Sequence, residues 1–119
     1  MNEDRKAKIR DYKLQPTYYG VIQLTNTVTH KIYIDAVPNT KNRWGYYQTN
    51  LNNHAYGQTA LQRDWDEYGA DAFSYAVLWE EKTDDVVNLR HAVKLLKEEW
   101  LERLQPFDDR GYNTRPKSR

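Results

Sequence analysis

Two short segments decide the fold of this chain: YYGVIQLT at residues 18–25 and KIYIDAV at residues 31–37. Both are rich in aromatic and β-branched residues, a composition typical of β-strands. The residues between them, 26–29, are polar and predict a turn, and Pro38 ends the second segment. The sequence therefore predicts two consecutive antiparallel strands joined by a tight connection.

The pairing of these strands predicts which side chains share a surface. If the turn centres on Thr27 and Val28, Ile22 lies directly across from Tyr33. Asp35 projects from the same face, because side chains alternate along a strand with a period of two. The predicted face therefore carries one phenol and one carboxylate.

Arg43 follows this hairpin at the start of the next predicted helix. A guanidinium can hold a phosphate through paired charge-assisted hydrogen bonds, and a phenol can orient it or transfer a proton. Tyr33 and Arg43 together are therefore candidates for contact with a phosphodiester. The structural alternative is that Tyr33 packs in the core and that Arg43 is an ordinary surface cation.

The remaining sequence predicts helices and one further strand. Helices are predicted at residues 4–14, 39–51, 58–68 and 84–104, and a third strand at residues 73–79. This order predicts an α+β domain with a small three-stranded antiparallel sheet, flanking helices and an N-terminal helix. We expect residues 1–17 to form that helix and a lead-in, residues 18–113 the domain, and residues 114–119 a basic, disordered tail.

Side-chain spacing predicts the core and the caps. In the third strand, alternation places four large side chains on one side: Phe73, Tyr75, Val77 and Trp79. The helix at 58–68 is expected to bury Leu61, Trp65 and Tyr68. Asp84 and Asp85 are expected to cap the long helix at its positive end.

The composition excludes several classes of protein. With 119 residues the chain has room for one domain, and without cysteine it has no disulfide and no thiolate zinc site. No apolar run approaches the roughly 20 residues that a membrane-spanning helix needs. Residues 1–10 are charged and lack the apolar segment of a signal peptide. We expect a soluble, cytoplasmic protein.

The net charge of +1 conceals an uneven distribution of charge. The last ten residues contain four cations and no acid: Arg110, Arg115, Lys117 and Arg119. The middle of the chain is acidic on balance. Basic ends suit contact with a polyanion, although a solubilising tail explains the same pattern.

The ordered set of short motifs resembles the GIY-YIG nuclease superfamily from about residue 18 to residue 113. The motifs are GVIQLTN at 20–26, KIYID at 31–35, NRW at 42–44, LQRDW at 61–65 and GYN at 111–113. Each motif alone is weak evidence, and their order and spacing carry the resemblance. The leading segment is similar to small bacterial proteins with a partly degenerate domain of this kind, which implies a bacterial or phage-like origin.

The resemblance implies hydrolysis of a nucleic-acid phosphodiester with one divalent metal ion, Mg²⁺ or Mn²⁺. Tyr33 matches the second tyrosine of the family and Arg43 the arginine that binds the scissile phosphate, so both are the candidate catalytic residues. Asn113 matches the terminal asparagine and is a candidate supporting residue.

The sequence departs from the family at the positions that carry its chemistry. Ile22 stands where the first tyrosine is expected, Asp35 replaces a glycine, and Tyr47 replaces a frequent histidine. Asp35 and Tyr47 are therefore supporting candidates only. Lys97 occupies the place of the metal-binding glutamate, and an ammonium group cannot bind a hard cation. Either the helix register slips and Glu99 holds the metal, or the metal site is lost.

Three functions follow, and the sequence leaves cleavage itself open. The first is a metal-dependent endonuclease with altered residues. The second is an inactive module that binds nucleic acid, with DNA as the expected partner. Its contacts would come from two cations after the hairpin and three near the C-terminus: Lys41, Arg43, Arg115, Lys117 and Arg119. The third is a scaffold for a protein partner, which the near-neutral charge favours.

Overall fold

The computed structural model describes residues 16–115. Along these residues the elements are β1 (Tyr18–Asn26), β2 (Ile32–Val37), α1 (Arg43–Asn52), α2 (Ala60–Tyr68), β3 (Phe73–Lys82) and α3 (Leu89–Leu104). Two short 3₁₀ turns lie at Ala70–Ala72 and Asp108–Arg110. The predicted helix at 4–14 and the tail cations Lys117 and Arg119 fall outside the described residues.

The three strands form one antiparallel sheet in the order β2-β1-β3. The central strand β1 is the most apolar, and it is buried on both of its faces. The helices flank this sheet, so the predicted α+β class and the three-stranded antiparallel sheet are confirmed.

The register of the hairpin differs from the predicted one by two residues. Tyr33 lies opposite Leu24, and Asp35 lies opposite Ile22. The connection is longer than a two-residue turn because the side chain of Asn26 accepts hydrogen bonds from the backbone amides of Val28 and Thr29. Since the shift is an even number, Ile22 on β1 still shares a face with Tyr33 and Asp35, as predicted.

A β-bulge in β3 overturns the predicted alternation of that strand. Val77 pairs with Ile22, but Trp79 pairs with the preceding residue, Val21, so Leu78 is the extra residue. The bulge turns Trp79 to the opposite face, where its ring meets Tyr19 at a centroid distance of 5.4 Å. Trp79 therefore does not share a side with Val77.

The sheet separates two hydrophobic cores. The first core lies under α1 and α2 and contains Ile22, Leu24, Val37, Tyr47, Leu51, Leu61, Trp65 and Phe73. The second core lies under α3 and contains Val21, Ile34, Ala36, Leu101 and Phe107. Leu61 and Trp65 are buried as predicted, but Tyr68 is 38% exposed at the end of α2.

The long helix begins later than the sequence predicts. Its cap is Asn88, whose side-chain oxygen accepts from the backbone amide of His91 at 3.1 Å. Asp84 and Asp85 lie in the turn before it and do not cap it. An asparagine at this position satisfies a helix-terminal amide as well as an aspartate does, so the two acids are not needed there.

The chain returns to the sheet after α3, next to the edge strand β2. Gly111 forms a parallel bridge with Ile32 and approaches it so closely that a Cβ atom would lie 2.5 Å from the Ile32 carbonyl oxygen. Only glycine fits at this contact. The segment after α3 thereby brings residues 111–113 beside the polar side chains of β2.

Candidate functional site

A cleft of about 250 Å³ opens at the edge strand β2, between α3 and the segment that returns after it. Its polar lining includes Tyr33 on β2, Tyr56 after α1, Lys97 on α3, and Tyr112 and Asn113 in the segment after α3. Side chains that are far apart in the sequence meet here because β2 is at the edge of the sheet and within reach of α3.

The carboxylate of Asp35 is the centre of a group of polar contacts next to this cleft, which it joins through Lys97. One oxygen accepts a hydrogen bond from the Tyr47 hydroxyl, and the other lies 3.6 Å from the Lys97 ammonium nitrogen. The Asp35 side chain is 20% exposed, so water weakens this ion pair only in part. The carboxylate is therefore already shared by a phenol and an ammonium group.

Tyr33 and Tyr47 are phenols that stay protonated. Their rings meet edge to face at a centroid distance of 6.3 Å. Burial is the first cause that raises the pKa of each, and the negative charge of Asp35 is the second. For Tyr47 the nearby Arg43 guanidinium opposes this with a smaller, lowering effect. At neutral pH both hydroxyls therefore keep their protons, the Tyr47 hydroxyl donates to Asp35, and neither phenol is a base.

The loop between β2 and α1 fixes the position of Arg43. The Thr40 amide donates to the Tyr18 carbonyl at 2.9 Å, and the Thr40 hydroxyl donates to Glu80 at 2.8 Å, so the loop is bonded to β1 and β3. Asn42 then takes the left-handed conformation, with φ 58°, which asparagine tolerates better than most residues. Arg43 follows as the first residue of α1.

The Arg43 guanidinium lies on a platform of tyrosine rings. Its central carbon is 4.2 Å from the Tyr46 ring centroid and 5.7 Å from that of Tyr47. The Nε atom is buried without a hydrogen-bond partner, and within residues 16–115 no carboxylate lies within 4.0 Å of this side chain. The guanidinium charge is therefore not neutralised by a carboxylate of the described residues, and such a charge attracts an anion.

Asn113 has a structural contact that explains its place in the motif. Its amide pairs with both backbone groups of Ile34: the side-chain oxygen accepts from the Ile34 amide at 2.9 Å, and the side-chain nitrogen donates to the Ile34 carbonyl at 2.8 Å. Ile34 is on the edge strand, so this pair takes the place of a neighbouring strand. Asn113 thus holds one wall of the cleft against β2.

Replacing Asn113 by alanine is expected to lower the free energy of unfolding by about 1–3 kcal/mol. The substitution removes two hydrogen bonds and leaves the Ile34 backbone groups without their partner. Urea denaturation measures the change. The matched control is Thr114→Ala at the exposed neighbouring position, where we expect less than about 0.5 kcal/mol. Equal stability of the two variants would contradict this role.

Tyr112 joins the same segment to the rest of the domain. Its hydroxyl donates to Asp64 at 2.7 Å and accepts from the buried Asn26 amide at 3.1 Å. Burial, followed by the hydrogen bond to Asp64, raises the pKa of Tyr112 to about 12. This tyrosine therefore links the segment after α3 to the hairpin turn and to α2.

The side chains at the cleft do not fit a divalent metal ion. Lys97 presents an ammonium group to Asp35, and Ile22, which lies opposite Asp35, is apolar and fully buried. Glu99 is exposed and paired with Arg103 at 3.0 Å, so the structure does not bring it to this cluster. Across residues 16–115 no group of three His, Cys, Asp or Glu side chains is arranged to hold a metal.

The predicted nucleic-acid contacts are only partly brought together. Lys41 is exposed on the loop that carries Arg43. Arg115 is paired with Asp108 at 2.9 Å and lies over the Phe107 ring, so its charge is compensated. Sequence reasoning missed Tyr46 as the closest ring to Arg43, since its only signal is its place three residues further along the helix.

The architecture is that of the GIY-YIG nuclease fold. The chain is similar in structure to the catalytic domain of the homing endonuclease I-TevI, with a TM-score of 0.65 and 20% identity over 82% of this chain and 99% of that domain. A mutant of that domain in which glutamate is replaced by alanine matches with a TM-score of 0.64 and 22% identity, over 81% and 92% of the two chains. No family model and no curated protein matches the sequence.

The described part of the chain contains no helix that is both long and apolar enough to cross a membrane.

Proposed function

We propose that this domain binds the phosphate backbone of nucleic acid at Arg43 and does not hydrolyse it. DNA is the proposed partner, in keeping with the endonuclease domains that share its fold. The observation that carries the proposal is the Lys97 ammonium group, 3.6 Å from the Asp35 carboxylate, at the position where the resemblance places a metal-binding glutamate.

Lys97 disfavours a metal ion for two reasons. It is a positive charge, which repels a second cation at short range. It also pairs with the carboxylate that would have to serve as a ligand, while Tyr47 donates to the other oxygen of the same group. Mg²⁺ and Mn²⁺ need several oxygen ligands, and Asp35 alone does not provide them.

The site also lacks a group that activates water. Ile22 carries no proton, and burial keeps Tyr33 and Tyr47 protonated. A general base must accept a proton at the working pH, which neither phenol does. The carboxylate of Asp35 is the only other candidate named by the sequence, and its oxygens are engaged by Tyr47 and Lys97.

The groups that remain are suited to holding a phosphate. Arg43 has no carboxylate partner within residues 16–115. Lys97 adds a second positive charge, and Asp35 cancels only one of the two. An arginine fork at a partly buried site is a strong ligand for a phosphodiester oxygen.

The test is the binding of a fluorescent 20-base-pair DNA duplex in EDTA and in Mg²⁺ at matched ionic strength. We expect binding that persists in EDTA, and so does not need the metal, and that falls steeply as salt is raised because phosphate contacts release counterions. Supercoiled plasmid incubated with Mg²⁺ or Mn²⁺ should stay intact. Metal-dependent nicking would support the endonuclease, and the absence of binding in either buffer would support the protein scaffold.

A further inference from the structure

The helix α3 carries three cations along one side of its surface. Their spacings of four and three residues place them within about 60° of arc, and they are Arg90, Lys94 and Lys97. We call these three cations the basic row. Glu99 and Glu102 lie away from the row, whereas Glu98 is four residues after Lys94 and borders it. The row gives α3 a positive side with one acid at its edge.

The basic row is not neutralised by the described part of the protein. Only Lys97, at the inner end, has a carboxylate partner, which is Asp35 in the cleft. Arg90 and Lys94 are exposed, and no carboxylate of residues 16–115 lies within 4.0 Å of them. By contrast, Arg103 on the other flank is paired with Glu99. The unpaired positive charge of α3 is therefore concentrated in the row.

One end of the basic row, Lys97, lines the cleft, and the other end, Arg90, lies near the loop between β2 and α1. At the inner end the contacts run from Arg43 to the Tyr47 ring, from the Tyr47 hydroxyl to Asp35, and from Asp35 to Lys97. At the outer end Arg90 lines a shallow depression together with Pro38, the residue after β2 that begins the loop to Arg43.

We propose that the basic row is a second contact surface for the nucleic-acid backbone, extending the site beyond the phosphate at Arg43. This inference rests on the proposed function and adds the path of the strand. Arg90 and Lys97 are seven residues apart, about 10.5 Å along the axis at 1.5 Å per residue. The row is therefore long enough to reach more than one phosphate of a duplex strand.

The experiment compares the salt dependence of DNA binding in Arg90→Gln/Lys94→Gln and in the unaltered protein, with the 20-base-pair duplex. Removing two phosphate contacts is expected to reduce the slope of log K against log salt by about 1.8. The control is Arg103→Gln/Arg110→Gln, which removes the same charge from the end of α3 and the turn that follows it. For this control the slope should change by less than about half as much.

The outcomes separate the two proposals. A reduced slope for the Arg90/Lys94 variant alone supports the basic row. Binding by the unaltered protein with equal slopes for both double variants overturns the row and leaves the site at Arg43 standing. No binding by the unaltered protein overturns both. All four substituted side chains are exposed, but Arg103 and Arg110 each bond to a residue of α3, so circular dichroism is used to check that every variant keeps its helix content.

Discussion

Lys97→Glu is expected to give the cleft an affinity for divalent cations that the unaltered protein lacks. The introduced carboxylate would face Asp35 in place of the ammonium group, which now lies 3.6 Å from it. Two carboxylates that share one site repel each other, and a hard cation relieves that repulsion while accepting oxygen ligands from both. The cation thus becomes a stabilising ligand.

The measurement is the unfolding temperature of the variant with and without Mn²⁺ or Mg²⁺. Without metal the variant should be less stable than the unaltered protein, and it should bind DNA at least tenfold more weakly, because a cation in the cleft has become an anion. A metal at 100 times its dissociation constant should restore about 2.7 kcal/mol of stability. The unaltered protein should show no such response.

Two matched variants test the physical reason. Lys97→Gln removes the ammonium group without supplying a ligand, so it should weaken DNA binding but not bind metal. Lys94→Glu places a carboxylate on the same helix without facing Asp35, so it should not bind metal either. An equal response of the unaltered protein and Lys97→Glu to Mn²⁺ would contradict the assignment of Lys97 as the group that excludes a metal.

The faces of the sheet were predictable because alternation is a property of every strand. The even and odd residues of β1 and β2 separate into the two cores as their spacing predicts, and an error of two residues in the register leaves that separation intact. Glycine and proline marked the ends of several elements, as Gly69 does for α2. These signals are local, so one sequence suffices to predict them.

Features that depend on distant contacts were not predictable. Nothing near Leu78 in the sequence signals a bulge, because the bulge is defined by the pairing of β3 with a strand more than fifty residues earlier. The register of the hairpin depends on how the side chain of Asn26 bonds the turn. The late start of α3 depends on Asn88, and not Asp84 or Asp85, capping the first turn of the helix.

In the candidate site too, the sequence predicted which residues take part but not which of them are in contact. Motif order pointed to Tyr33, Asp35 and Arg43, and it placed Lys97 where a glutamate is expected. It did not reveal that the Lys97 ammonium pairs with Asp35. That contact joins α3 to the edge strand, and it bears directly on whether the cleft accepts a metal.

Arg43→Ala is expected to weaken DNA binding by roughly 10- to 100-fold while leaving the stability of the domain nearly unchanged. The loss of affinity follows from a hydrogen-bonded phosphate contact worth about 1.5–3 kcal/mol, at 1.4 kcal/mol for each factor of ten. It also removes the cation that no carboxylate of residues 16–115 neutralises, whereas Lys97 stays paired with Asp35.

Stability should stay nearly constant because two effects of the substitution oppose each other. Contacts between the guanidinium and the rings of Tyr46 and Tyr47 are lost, at about 0.5–1 kcal/mol each. In return, the buried Nε donor that has no partner is removed, which relieves about 1–3 kcal/mol of desolvation. A residue kept for packing alone would show the reverse pattern, with lower stability and intact binding.

Arg43→Lys distinguishes charge from geometry at the same position. Lysine keeps the positive charge but lacks the planar fork that holds two phosphate oxygens at once, so it should recover only part of the lost affinity. Arg63→Ala on the exposed surface of α2 is the control for a general loss of charge, and it should bind DNA nearly as well as the unaltered protein. Equal losses in Arg43→Ala and Arg63→Ala would mean that binding follows net charge and that no phosphate is held at Arg43.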